Sequence, residues 1–373
     1  MNETFEIFLA CAPGLEPLLA DEARGLGWDA APVPGGVVFA GGWPDVWRAN
    51  LELRGATRVL ARIGSFRAMH LAQLDKRARR FGWAAVLRPD VPVRVDVTCR
   101  ASRIYHAGAA RERIARAIAE ELGAPVVEGA DPAAVTLKVR VEDDLVTISV
   151  DTSGESLHKR GHKEAVAKAP MRETLAAMFL RDCGFTGGEP VLDPMCGSGT
   201  FVIEAAGIAA GMQPGRLRDF AFQRLANYDA GALAALRRDG PARVPDLRFY
   251  GSDRDAGAVR GAAGNAERAG VGGWCAFEMR PVSALERPDG PPGLVIVNPP
   301  YGARIGNKGP LFGLHAALGK VLMERFSGWR VGIITSEGGL AKATGLPLLP
   351  PGPLVDHGGI KVRLYRTAPL GRP

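Results

Sequence analysis

Cysteine is scarce in this chain. Five residues in 373, Cys11, Cys99, Cys183, Cys196 and Cys275, are scattered, odd in number and without a short paired spacing. That excludes a disulfide framework and supplies no zinc-ligand pattern, so no metal is expected. Long apolar runs are missing too: no stretch of about 18 uncharged apolar residues occurs, and no membrane span is expected. Residues 1–6 are acidic and enter an alternating pattern, unlike the basic-then-apolar start of a signal peptide. A cytoplasmic location is the expectation.

Acidic residues are depleted from one region. Residues 54–116 hold fifteen Lys or Arg against four Asp or Glu, while the whole chain carries a formal charge of +7. Everything outside that region is therefore net acidic. Such segregation points to a surface that faces a polyanion, although an arginine-rich solvated face would have the same composition. At 46% hydrophobic and 23% charged, the chain is long enough for two or three domains with cores of their own.

Residues 191–201, Val-Leu-Asp-Pro-Met-Cys-Gly-Ser-Gly-Thr-Phe, organise the rest. They read as a buried strand that breaks on glycines and restarts as a helix, with Ser198 or Thr200 placed to cap it. Gly197 and Gly199 allow a sharp turn and close approach of a ligand. No Lys follows the glycines, and Asp193 would repel a phosphate, so a triphosphate is excluded. The acid expected about 20 residues on in a dinucleotide fold is missing as well; the next strand ending in an acid stops at Asp253. A second loop decides the chemistry. Leu294-Val295-Ile296-Val297 is a central parallel strand, and Asn298-Pro299-Pro300-Tyr301-Gly302 sits at its carboxyl end, where open α/β sheets bind ligands.

These two loops, in this order, resemble those of the S-adenosylmethionine-dependent methyltransferases that modify exocyclic amino groups. His158-Lys159-Arg160-Gly161-His162 and Arg172-Glu173-Thr174-Leu175-Ala176-Ala177 narrow the resemblance to THUMP-domain RNA methyltransferases, closest to the bacterial enzymes that methylate guanine N2 in large-subunit ribosomal RNA. The fold class expected is α/β: a Rossmann-like methyltransferase domain with a doubly wound sheet over 171–373, preceded by α+β modules. The resemblance implies a ferredoxin-like module at 1–60 and a THUMP RNA-binding domain at 61–155. A basic linker, 156–170, joins them to the catalytic part. Periodicity adds strands near 5–9, 35–39, 93–97, 135–141 and 145–150, and helices at 15–26, 46–53, 70–81 and 109–122.

The resemblance also implies roles. Asn298 and the Pro299 carbonyl would accept from the two amine hydrogens, and Tyr301 would stack on the extruded base. Asp193 would hold the methionine amino group and Asp253 the ribose hydroxyls, with Met195, Cys196, Gly197, Gly199, Thr200, Val282 and Asn298 completing the S-adenosylmethionine site. Cys196 reads as a small buried residue, not a nucleophile. One acid of the family pattern is absent: Pro281 or a neighbour stands where an Asp usually reads adenine, leaving the Val282 amide and Ser283. Arg77, Arg79, Arg80, Arg103, Lys159, Arg160 and Lys163 are the expected RNA contacts, to phosphate and shape more than to stacked bases. His158 and His162 have helical metal-ligand spacing, but Gly161 and the lack of a third ligand argue against it.

The function these readings support is methyl transfer to guanine N2, with 23S ribosomal RNA or a large-subunit precursor as partner. Transfer RNA, adenine N6 and a protein glutamine are alternative acceptors, since Asn-Pro-Pro-Tyr serves those chemistries too. A non-catalytic RNA-binding assembly protein is an alternative of another class. The insertion around 212–246, with Phe220-Ala221-Phe222, could cover a cofactor or touch substrate; the sequence does not choose.

Overall fold

A computed structural model of the chain describes residues 4–164, 171–301 and 309–371. The end of the basic linker, with Lys168, and Gly302 lie outside the described residues. Two compact units are present. One comprises Met1–Cys11, Ala23–Leu157 and Arg218–Arg237; the other comprises Ala12–Glu22, His158–Leu217 and Arg238–Pro373.

The first 157 residues form β1 (Phe5–Ala10), α1 (Glu16–Gly25), β2 (Ala31–Val33), β3 (Gly36–Gly41), α2 (Trp43–Glu52), β4 (Arg58–Arg67), α3 (Leu71–Arg79), β5 (Val93–Arg100), α4 (Ala107–Leu122), β6 (Val135–Glu142) and β7 (Leu145–Asp151). The strands make one sheet ordered β2-β3-β1-β4-β7-β6-β5. The two modules expected on either side of residue 60 thus share a sheet, because β4 pairs with β1 through Val59 and Ala61 and with β7 through Arg62 and Phe66. The β6–β7 hairpin turns on Asp143 and Asp144, both at positive φ, as a two-residue primed turn requires. Helix α4 ends at Gly123, whose φ of 78° is the left-handed conformation that glycine adopts without a Cβ penalty.

Beyond the linker come α5 (Glu173–Asp182), β8 (Val191–Asp193), α6 (Thr200–Ala209), α7 (Ala230–Leu236), β9 (Phe249–Asp253), α8 (Ala256–Arg268), β10 (Cys275–Met279), β11 (Leu294–Val297), α9 (Gly309–Arg325), β12 (Arg330–Thr335), α10 (Gly338–Ala343), β13 (Val355–His357) and β14 (Ile360–Arg366). The second sheet runs β10-β9-β8-β11-β12-β14-β13. Its first five members are parallel, and β14 returns antiparallel to β12. Residues of β8 and β11 are buried without exception, which is why they read as apolar runs and not as an alternation. Val295, Val297, Leu318, Leu322, Phe326 and Trp329 lie in one core cluster of this sheet.

The insertion is settled by packing. Residues 218–237, including α7, belong to the first unit. Phe222 is fully buried there, its ring against Trp47 and Tyr228 and its amide donating to Thr152 O. It is core, not substrate surface. No helix among the described residues is long and apolar enough to cross a membrane.

Candidate active site

Sheet order creates the site. Because β8 is first in its unit, β9 leaves to one side of it and β11 lies on the other, so a crevice opens above their carboxyl ends. Asp193, Asp253 and Asn298 occupy those three ends.

The loop after β8 is shaped by Gly197 at φ 52° and Gly199 at φ 81°. Gly199 itself is the N-cap of α6, and a Cβ there would lie 3.0 Å from Ala262 Cβ. Neither Ser198 nor Thr200 caps the helix, contrary to the sequence expectation. The Thr200 hydroxyl, 5% exposed, instead accepts from Lys163 Nζ at 2.9 Å. That contact engages the Thr200 hydroxyl and leaves its backbone to face a cofactor. Cys196 is buried, its thiol pushed up by desolvation, and its amide donates to Ser252 O at 2.9 Å. Met195 packs partly against the apolar core of the unit.

Two carboxylates flank this loop. Asp253 Oδ2 accepts from the Gly197 amide at 3.1 Å and Oδ1 from the Asp255 amide at 3.0 Å, so it pins the glycine turn to the end of β9. Asp255 caps α8 by accepting from the Gly257 and Ala258 amides. Asp193 is 3% exposed, and Oδ1 accepts from the Met195 amide at 3.0 Å. Burial pushes its carboxyl up to about 8, and the neighbouring charge of Asp253 adds to the rise. Such a group calls for a cation.

At the end of β11, Asn298 Oδ1 is buried and has no hydrogen-bond partner among the described residues. An unpaired buried amide oxygen is costly unless a ligand satisfies it. Pro299 is buried and Pro300 exposed. The Tyr301 hydroxyl lies 2.9 Å from Nδ1 of His357, itself 8% exposed on β13, and burial raises the phenol to about 12. His357 carries no signal in the sequence, because β13 meets Tyr301 only through tertiary structure. Val282 places its side chain in the apolar core, which leaves only its backbone for a ligand; Ser283 is exposed.

The expected RNA contacts divide. Arg77, Arg80 and Lys159 are exposed, and Arg103 has 71% of its side chain in solvent. Arg79 is held by Asp75, Glu120 and Glu121 at 3.0, 2.5 and 3.1 Å. Arg160 and Lys163 are engaged inside the protein instead of presented to solvent. Arg160, 4% exposed, pairs with buried Glu204 of α6 at 3.2 Å, and Lys163 pairs with buried Glu173 of α5 at 2.8 Å. The first part of the linker is thus built into the second unit. His158 and His162 are pushed down to about 4 by burial, and no group of three metal-ligating side chains occurs among the described residues.

Residues 160–346, half of the chain and both site loops, match the family described as RMKL-like, methyltransferase domain. The chain belongs to the RMKL-like methyltransferase family. Residues 6–60 match the ferredoxin-like domain of RlmL. Ribosomal RNA large subunit methyltransferase K/L of Allochromatium vinosum is 38% identical over 363 residues, covering 91% of this chain and 49% of that protein; the Methylococcus capsulatus protein of the same name is 35% identical over 93% and 49%. The chain therefore spans about half the length of the curated relatives it matches. Among solved structures, SMU.472, solved complexed with SAH, is 26% identical with a TM-score of 0.86 over 100% of both chains.

Proposed function

We propose that this RMKL-like methyltransferase carries a methyl group from S-adenosylmethionine to the exocyclic N2 of a guanine in large-subunit ribosomal RNA. The observation that carries the reading is the unpaired, buried Asn298 Oδ1 at the end of β11, two strands from Asp253 and one from Asp193. The names of the curated relatives, and the SAH in the solved relative, support it.

The residues present fit the donor. Asp193, buried and short of a cation, would take its ammonium, and Asp253 would offer its remaining lone pairs to the ribose. When bound, the donor supplies an electrophilic methyl that needs neither metal nor redox partner. The chain's own task is to present the amine. Its nitrogen lone pair is delocalised into the base, and Asn298 Oδ1 with the Pro299 carbonyl would accept from its two hydrogens, favouring the pyramidal geometry that attacks. Tyr301, its hydroxyl tied to His357, would present its ring to the flipped base. The nitrogen must then lose one proton; Asn298 cannot take it, so it passes to solvent.

Incubation of the full chain with labelled S-adenosylmethionine and undermodified 23S RNA, followed by digestion and mass spectrometry of nucleosides, tests this. N2-methylguanosine is the expected product. Label appearing in N6-methyladenosine or nowhere, or appearing only when transfer RNA replaces the 23S RNA, would overturn the acceptor assignment.

A further inference from the structure

The arginine-rich region carries a second feature that its helices do not reveal. At one corner of the first sheet, three segments converge on Asp144 in the β6–β7 turn. Asp144 Oδ1 accepts from the Ser102 hydroxyl at 2.9 Å and the Arg103 amide at 2.8 Å, and its own carbonyl accepts from the Ala68 amide at 2.9 Å. These bonds, the Arg103 amide foremost, hold the carboxyl below its usual range. Arg103 Nη1 lies 3.3 Å from Met69 Sδ, placing the end of β4 beside the loop that leads into α4.

That corner exposes what folded proteins usually bury. Tyr105 is 83% exposed and Met69 44%. Around them Arg67, Arg100 and Arg103 are also exposed, the last two with 79% and 71% of their side chains in solvent. Asp144 holds the loop at Ser102 and Arg103, two residues before the exposed ring. At the starts of α3 and α4, His70 and His106 accept from the Gln73 and Ala109 amides.

We infer that Tyr105, two residues beyond Arg103 on the corner that also exposes Met69, Arg67 and Arg100, is a stacking platform for an unpaired base of the RNA substrate. An exposed ring offers a π-face that any base can cover, and guanidinium groups at its rim match the flanking phosphates. Arg100 and Arg103 meet Glu142 and Asp144 only at 3.9 and 3.8 Å, and residues 54–116 as a whole hold fifteen Lys or Arg against four Asp or Glu, a regional excess that a polyanion matches. The opposite ends of the same helices are poorer candidates, because there Arg79 is already neutralised by Asp75, Glu120 and Glu121. The platform rests on the RNA reading above and specifies it: one contact is to a single-stranded, unstacked base, not to helical shape.

The test uses the full chain and two fluorescent probes, a single-stranded RNA and a blunt RNA duplex of equal length. Tyr105→Ala should weaken single-strand binding by about 5- to 100-fold, the range for losing one base–aromatic stack, and leave duplex binding unchanged. Tyr105→Phe should retain wild-type affinity. Arg103→Ala should lower the log–log salt slope by about 0.7. Since Tyr105 is exposed, the variants should keep the wild-type unfolding midpoint. Wild-type binding of the single strand by Tyr105→Ala, or an equal loss for both probes, overturns the platform while leaving RNA binding intact. Failure of the wild-type chain to bind either RNA overturns the RNA reading as well.

Discussion

At the residue scale, Asp193 and Asn298 are the groups of the proposed site on which its chemistry turns. Asp193 titrates near 8 in place of the ordinary carboxyl value of 3.8, so at pH 6.5 it is mostly protonated. Capture of the donor's ammonium favours the carboxylate, and binding at pH 6.5 should release close to one proton. Calorimetry in buffers of different ionisation enthalpy would measure it, and Asp193→Asn should abolish it. The same shift has a stability consequence of fixed sign. The folded state holds this proton more tightly than the unfolded chain, so its contribution is full below about 3.8 and lost as pH rises through about 8. The urea midpoint of the free chain should fall between pH 5 and pH 8.5 by more than that of Asp193→Asn. For Asn298→Ala the expectation is cofactor affinity within a few-fold and methyl transfer reduced by at least roughly 10²-fold, the scale for losing an aimed polar contact. Near-normal turnover would remove Asn298 from the chemistry.

At the element scale, legibility followed burial. Strands β8 and β11 are covered on both faces, so their apolar runs and the motifs at their ends could be read directly. Strand β4 could not: its in–out alternation runs only from Arg58 to Arg62 and is lost where the register shifts between Arg62 and Gly64. The boundary expected at residue 60 falls within this strand, which joins both modules in one sheet. The ion pairs of the linker were illegible for a different reason. Composition reports that Arg160 and Lys163 are basic, but not that Glu204 and Glu173 wait for them 44 and 10 residues on. Arg160→Ala should therefore destabilise the chain by about 3–5 kcal/mol, the cost of stranding a buried partner, as read by urea denaturation. RNA affinity per folded molecule should hold. A stable variant with weakened RNA binding would return Arg160 to the RNA surface.

At the scale of the whole molecule, residues 165–373 contain both site loops and an unbroken strand–helix alternation, which alone would predict an autonomous catalytic domain. The packing predicts otherwise. Such a fragment lacks Arg160 and Lys163, leaving Glu204 and Glu173 buried without those partners, and it carries Phe220 and Phe222 without Trp47, against which Phe222 packs. It should fail to unfold cooperatively in urea, whereas the full chain should do so; a sharp transition for the fragment would show that these contacts are dispensable. The interleaving also sets a timetable for synthesis. The first unit needs residues up to Arg237, yet the second begins its main run at His158. At ordinary rates of translation the intervening stretch takes roughly 4 to 16 s to emerge. During that time the older unit must wait, with Trp47 uncovered, while β8 and α6 of the younger one are already outside the ribosome. A chain of separate beads would complete each unit before the next began; this one opens its second unit while the first still lacks Arg218–Arg237.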